Sequence, residues 1–193
     1  ATGVPATEEQ EARLLIEVSK TYDTLGEWDK ALENYHKVAE LGQKLGQKEI
    51  RAEALKRIGH IHSMRGEWEP AIHQYQESIE LFREVGNMRE VGNIYNNIGF
   101  NYFQNGNMEE ANQYYDMALE IGEDVGDTQL LADVNRSKGI IADMEGRWDE
   151  AIAHYQRSLP QYEALQDAIG MASTYQNLGM TYAHQHNWER AGE

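Results

Sequence analysis

Histidines stand two residues apart at His60 and His62 and again at His184 and His186, the first place to look for metal chemistry in this chain. A helix turns residues two apart onto different faces, so neither pair makes a good metal site. The carboxylates Glu120, Glu123 and Asp124 could serve acid–base work, but they fall in a charged stripe that reads as a solvated face. Cysteine is absent, which removes thiol catalysis and disulfides. The glycines are spread at even distances rather than clustered in a phosphate-cradling loop. No G-x-S-x-G elbow occurs. The expectation is therefore no metal, no cofactor and no enzyme activity.

Other residues suit binding better than reaction. Arg13, Lys20, Lys56, Arg57, His60, Asn93, Asn96, Asn97, Phe100, Gln104, Arg136, Asn177 and Met180 lie beside, not within, the apolar columns of their helices. Ile16, Glu17, Phe103, Asp133, Ile140 and Gln176 share that placement. Side-chain amides both donate and accept, so they can hold the backbone of an extended peptide whatever its sequence. Lys20, Lys56, Arg57 and Arg13 make the early part of this surface locally basic, which points to a segment with acidic and apolar residues. Any one of these residues also reads as ordinary hydrated helix surface.

The elements that carry them follow from a repeat of forty residues. Gly59, Gly99, Gly139 and Gly179 keep that spacing, as do Gly26, Gly66, Gly106 and Gly146. Ala31, Ala71, Ala111, Ala151 and Ala191 form another column, and Tyr35, Tyr75, Tyr115 and Tyr155 a fourth. Trp28, Trp68, Trp148 and Trp188 form a fifth, with Met108 in the remaining slot. Such a period means stacked units that bury their apolar faces on one another. Within the second unit Leu55, Ile58 and His62, then Ile72, Tyr75, Ile79 and Phe82, mark two amphipathic helices. Between them Gly66 can take the left-handed conformation that ends a helix. Pro70 falls in the next first turn, where its missing N–H costs nothing. The Gly59 column marks a place where two helices approach too closely for a side chain, and the Ala31 column the facing helix. The tryptophans read as wedges between helices, and the Tyr35 column as core with hydroxyls that could reach solvent.

Leu55, Ile58, Gly59, Gly66, Trp68, Ala71 and Tyr75 resemble the tetratricopeptide repeat pattern. Tyr95, Ile98, Gly99, Tyr102, Gly106, Ala111 and Tyr115 match it more fully, and Tyr175, Leu178, Gly179, Tyr182 and Ala191 match again. The forty-residue unit is similar to repeats of kinesin light chain, of Pins-type adaptors and of bacterial peptide-sensing regulators. The resemblance implies an all-α fold, a right-handed superhelical solenoid of antiparallel helix pairs whose first helices line a concave groove. It divides the chain into a lead-in over residues 1–10 and one array with units 11–50, 51–90, 91–130, 131–170 and 171–193, the last one truncated. In the resembling families an asparagine two residues before the helix-one glycine often holds the peptide, a place taken here by Asn97 and Asn177. The chaperone-binding members clamp a carboxylate with a Lys/Asn set. Lys56 and Asn97 fit it, whereas His60, Asp133 and Ser137 depart from it, so that activity is disfavoured.

Unit four is irregular. Asn135 and Lys138 stand in apolar columns, Ala142 replaces an aromatic residue, and Pro160 falls within the second helix. Either Ile140 and Ile141 re-register the helix while Lys138 snorkels, or the unit is a soft joint. The sequence stops at Trp188–Glu193, one turn into a second helix, with no polar capping helix. This suggests a fragment whose uncapped end could self-associate. The net charge is −16, which argues against nucleic acid and anionic membrane as partners. No apolar run is long enough to span a bilayer, Ala1–Thr7 is no signal peptide, and a cytoplasmic setting fits. The leading expectation is a non-catalytic scaffold that binds a peptide segment of a protein partner in the groove. The alternatives are a regulatory array that senses a free peptide, a self-assembling scaffold, and an enzyme's accessory segment.

Overall fold

The structure, a computed structural model, describes the backbone of residues 4–191 and the side chains of residues 8–185. Among these, nine helices and no strand are formed: α1 (Val4–Thr24), α2 (Trp28–Lys44), α3 (Lys48–Met64), α4 (Trp68–Glu84), α5 (Met88–Gln104), α6 (Met108–Val125), α7 (Thr128–Met144), α8 (Trp148–Ala164) and α9 (Ala168–Ala191). None of them is long and apolar enough to cross a membrane.

Every break has one design. After α3, the Glu67 N–H donates to the His62 carbonyl at 2.9 Å and the Gly66 N–H to the Ser63 carbonyl at 3.0 Å. This is the pair of bonds that closes a helix through a left-handed residue. Glycine supplies that residue after seven helices, from Gly26 at φ 74° to Gly146 at φ 74°. After α8 the same role falls to Gln166, the one non-glycine residue with positive φ among the described residues, at 56°.

The chain divides into two compact units, residues 1–101 and 102–193, with the division inside α5. In the first unit α1, α2, α3 and α4 pack in sequence. Ala31 and Tyr35 of α2 meet Leu55, Ile58 and Ile61 of α3, while Ala12, Ile16, Val38 and Ala54 form a second cluster. The close approach expected at Gly59 is present: a Cβ there would stand 2.8 Å from the Tyr75 ring and 3.1 Å from the Ala71 carbonyl oxygen.

In the second unit α6, α7, α8 and α9 pack in sequence, with Ala142, Ala151 and Tyr155 at the centre of one cluster. Gly139 meets Tyr155 as Gly59 meets Tyr75. Asn135 is buried rather than stranded: its amide donates to the Leu131 carbonyl at 2.8 Å, and its oxygen pairs with Nδ1 of buried His154 at 3.1 Å. Ile141 is fully buried while Lys138 reaches Asp116, in keeping with the re-registered helix. The α8 helix continues through Pro160.

Several expectations are corrected. Residues 4–10, expected as a loose lead-in, belong to α1, where Pro5 sits in the first turn and needs no N–H partner. The break expected near His186 is absent, and α9 runs unbroken to Ala191. His186 lacks the freedom of glycine to adopt positive φ. Among the described residues no helix follows α9, and Tyr175 and Tyr182 are 56% and 40% exposed instead of lying in core columns, with open space at the Cβ position of Gly179. Val18, forty residues before the buried Ile58, is likewise exposed. The side chains of His186, Trp188 and Ala191, and the residues Gly192 and Glu193, lie outside the described ones. The Tyr35 column is fully buried to its hydroxyls. Among the described residues Tyr35 finds no hydrogen-bond partner, and burial pushes its phenol up to about 12.

Candidate functional site

The candidate residues of the first unit sit on three helices that share one side. Helical spacing puts Arg13, Ile16, Glu17 and Lys20 on one stripe of α1. It puts Glu49, Glu53, Lys56, Arg57 and His60 on one stripe of α3, and Glu90, Asn93 and Asn97 on one stripe of α5. Two pockets open between these stripes. One, of about 270 Å³, is lined by Lys56, Arg57, His60, Glu90, Asn93 and Asn97. The other, of about 530 Å³, has Ile16, Ile50 and Phe82 as its apolar lining, and its polar groups include Arg13, Lys20, Glu17, Glu49, Glu53 and Glu90. Glu90 belongs to both, so the two pockets adjoin.

The smaller pocket gathers five residues picked from the sequence. Asn93 and Asn97 are half-buried, and among the described residues their side-chain amides have no hydrogen-bond partner. Asn96 is half-buried outside both pockets, and Phe100 is 44% exposed. Desolvation holds the His60 imidazole below its ordinary value; Asp23 opposes the shift, and Arg57 and Lys56 add to it.

The expectation of a locally basic surface is overturned. Lys56 lies 2.6 Å from Glu53 and 2.7 Å from Glu90. Arg57 lies 2.9 Å from Glu53, Lys20 lies 2.8 Å from Glu17, and Arg13 turns to Glu9 at 2.9 Å. The cations are thus matched by carboxylates one turn away or on the facing helix. Burial works to raise the Glu53 carboxyl, but Lys56 and Arg57 overcome it and hold the group below its usual range. Ile16, expected beside the core columns, is both core and pocket wall, at 9% exposure.

Sequence reasoning passed over Glu49, Ile50, Glu53 and Glu90. For the α3 residues the signal was present, since Glu49 and Glu53 lie seven and three residues before Lys56 and so on its face.

In the second unit the candidates are spread over α5, α7 and α9. Arg136 is engaged internally: its Nε donates to the Tyr162 hydroxyl at 3.0 Å, and that hydroxyl donates to Asp133 at 2.6 Å. Gln104 and Met180 are exposed, and Asn177 is half-buried with its backbone carbonyl accepting from the Thr181 hydroxyl at 3.1 Å. Among the described residues, no three His, Cys, Asp or Glu side chains are grouped so as to hold a metal ion.

Against known sequences, the tetratricopeptide repeat pattern matches residues 10–84, 90–164 and 130–193. The chain belongs to the tetratricopeptide repeat family. No curated protein matches it. Among solved structures it is similar to aspartyl phosphate phosphatase F from Bacillus subtilis, at 14% identity and a TM-score of 0.87, over 95% of this chain and 48% of that one. It is also similar to a Rap protein complexed with Competence and Sporulation Factor, at 17% identity and a TM-score of 0.78, over 92% of this chain and 53% of that one. BtubC from P. vanneervenii is a third, at 19% identity and a TM-score of 0.65, over 99% and 88%. At these identities the likeness is one of fold, and the chain spans about half the length of the first two. Repeats of this family generally serve as protein-interaction modules rather than catalysts.

Proposed function

We propose that the α1–α3–α5 face of the first unit binds an extended peptide segment of a protein partner, without catalysis. The observation that carries this reading is the pair Asn93 and Asn97. Both side chains line a pocket and, among the described residues, have no intramolecular hydrogen-bond partner. Amides left free of the protein's own bonds in a concave site can exchange water for a ligand, and a peptide backbone offers the matching N–H and C=O. The adjoining pocket gives room for a side chain of the same segment. Gln104, Arg136, Asn177 and Met180 are not needed for this site.

A regulatory, peptide-sensing array is the second reading. It is favoured by the likeness of fold to a Rap protein that was crystallised with Competence and Sporulation Factor.

The test is retention of peptides from a synthetic library of end-capped random octapeptides on the immobilised chain, compared with the variant N93A/N97A. The reading requires the variant to retain markedly less peptide while melting at the same temperature. Equal retention would remove the site from this face.

A further inference from the structure

We infer that the larger pocket takes one cationic side chain, Lys or Arg, from the bound segment; this rests on the peptide-binding reading above. Charge decides it. Of the carboxylates at that pocket, Glu17, Glu53 and Glu90 each have a cation of the protein within 3 Å. Glu49 has none among the described residues. It stands in the first turn of α3, where the helix end favours a fixed negative charge. Arg13, which also lines the pocket, is paired with Glu9 at 2.9 Å. The pocket therefore holds one carboxylate without a cation partner, beside a floor of Ile16, Ile50 and Phe82.

A long cationic side chain fits both features. Its aliphatic stem covers apolar floor while the charged head reaches the carboxylate. The protein contains an example of the arrangement. The Lys56 ammonium stands between Glu53 and Glu90 and 5.9 Å from the centre of the Phe82 ring. A ligand cation at Glu49 would use the neighbouring stretch of the same wall. An acidic ligand side chain would instead meet an unpaired carboxylate, which selects against it. This reverses the acidic segment that the bare count of cations suggested.

The same octapeptide library separates this inference from the reading beneath it. Peptides eluted from the wild-type chain, sequenced by mass spectrometry, are expected to be enriched about tenfold in Lys or Arg at one position, the equivalent of one well-placed contact. The variant Glu49→Lys is expected to keep its fold, read by its melting temperature, but lose that enrichment, and Glu49→Gln to reduce it. Enrichment in Asp or Glu, or a Lys/Arg preference that survives Glu49→Lys, would overturn the inference and leave the peptide-binding reading standing. A wild-type yield no higher than that of N93A/N97A would overturn both.

Discussion

Gly139 lies against the ring of Tyr155 so closely that a Cβ at 139 would stand 2.5 Å from the ring's Cε1, whereas Gly179, forty residues on, has no atom within 4 Å of that position. One column of the repeat is thus under strict steric demand in one place and free of it in another. Gly139→Ala is expected to cost about 1–3 kcal/mol by overpacking. Gly179→Ala in α9 is expected to raise stability by up to about 1 kcal/mol through helix propensity. Urea unfolding of the two variants checks this, and equal shifts in both would show that the Gly–Tyr contact does not set the column.

Gln166 occupies the left-handed position that glycine holds after seven other helices. Its side chain makes that conformation unfavourable. Gln166→Gly is expected to stabilise the chain by about 1 kcal/mol. Thermal unfolding should show a rise in midpoint; a fall would mean that the Gln side chain makes a compensating contact.

Most of the fold was legible because the repeat writes the same packing several times. The close approaches at Gly59 and Gly139 were implied by their column, and the helix breaks by another, but the Tyr75 and Tyr155 rings that fill those approaches were not. Helical spacing put Lys56, Arg57 and His60 on one face of α3 and Asn93 and Asn97 on one face of α5, and the family resemblance put those two faces in one groove. The electrostatics of that groove were not legible, because Lys56 pairs with Glu90, which lies thirty-four residues away on another helix. Where a pattern depends on a neighbour, it stops being legible when the neighbour is absent. Tyr175 and Tyr182 keep the repeat's residue types, yet α9 runs straight on and leaves them exposed.

Tyr35 and Tyr162 are both fully buried but differ in hydrogen-bonding state. The Tyr35 hydroxyl has no partner among the described residues, while that of Tyr162 donates to Asp133 at 2.6 Å and accepts from Arg136 at 3.0 Å. Tyr35→Phe is expected to be neutral or stabilising by about 1 kcal/mol, and Tyr162→Phe to destabilise by about 1–3 kcal/mol. If Tyr35→Phe proves the costlier of the two in chemical denaturation, the hydroxyl has a role that its surroundings do not explain.

His154 is buried against Asn135, and burial holds its imidazole below the ordinary 6.5, with Lys138 and Arg157 acting in the same direction and Glu150 and Asp116 against it. The unfolded chain therefore binds the proton more readily than the folded one. The stabilisation is complete above 6.5 and is lost as pH falls from there through the lower folded value. Between neutral pH and mildly acidic pH the wild-type chain is expected to lose more stability than His154→Gln, measured as the urea midpoint. Parallel losses would place the pH dependence on other groups.

The central claim is that the amides of Asn93 and Asn97 receive a peptide. Their side-chain NH2 resonances in a 15N-labelled chain test it most directly, titrated with the octapeptides that the chain retains. The account predicts saturable shifts in those two pairs of signals, with the amide of Asn34 on α2 unmoved. Retained peptides that leave both pairs of signals in place would contradict it.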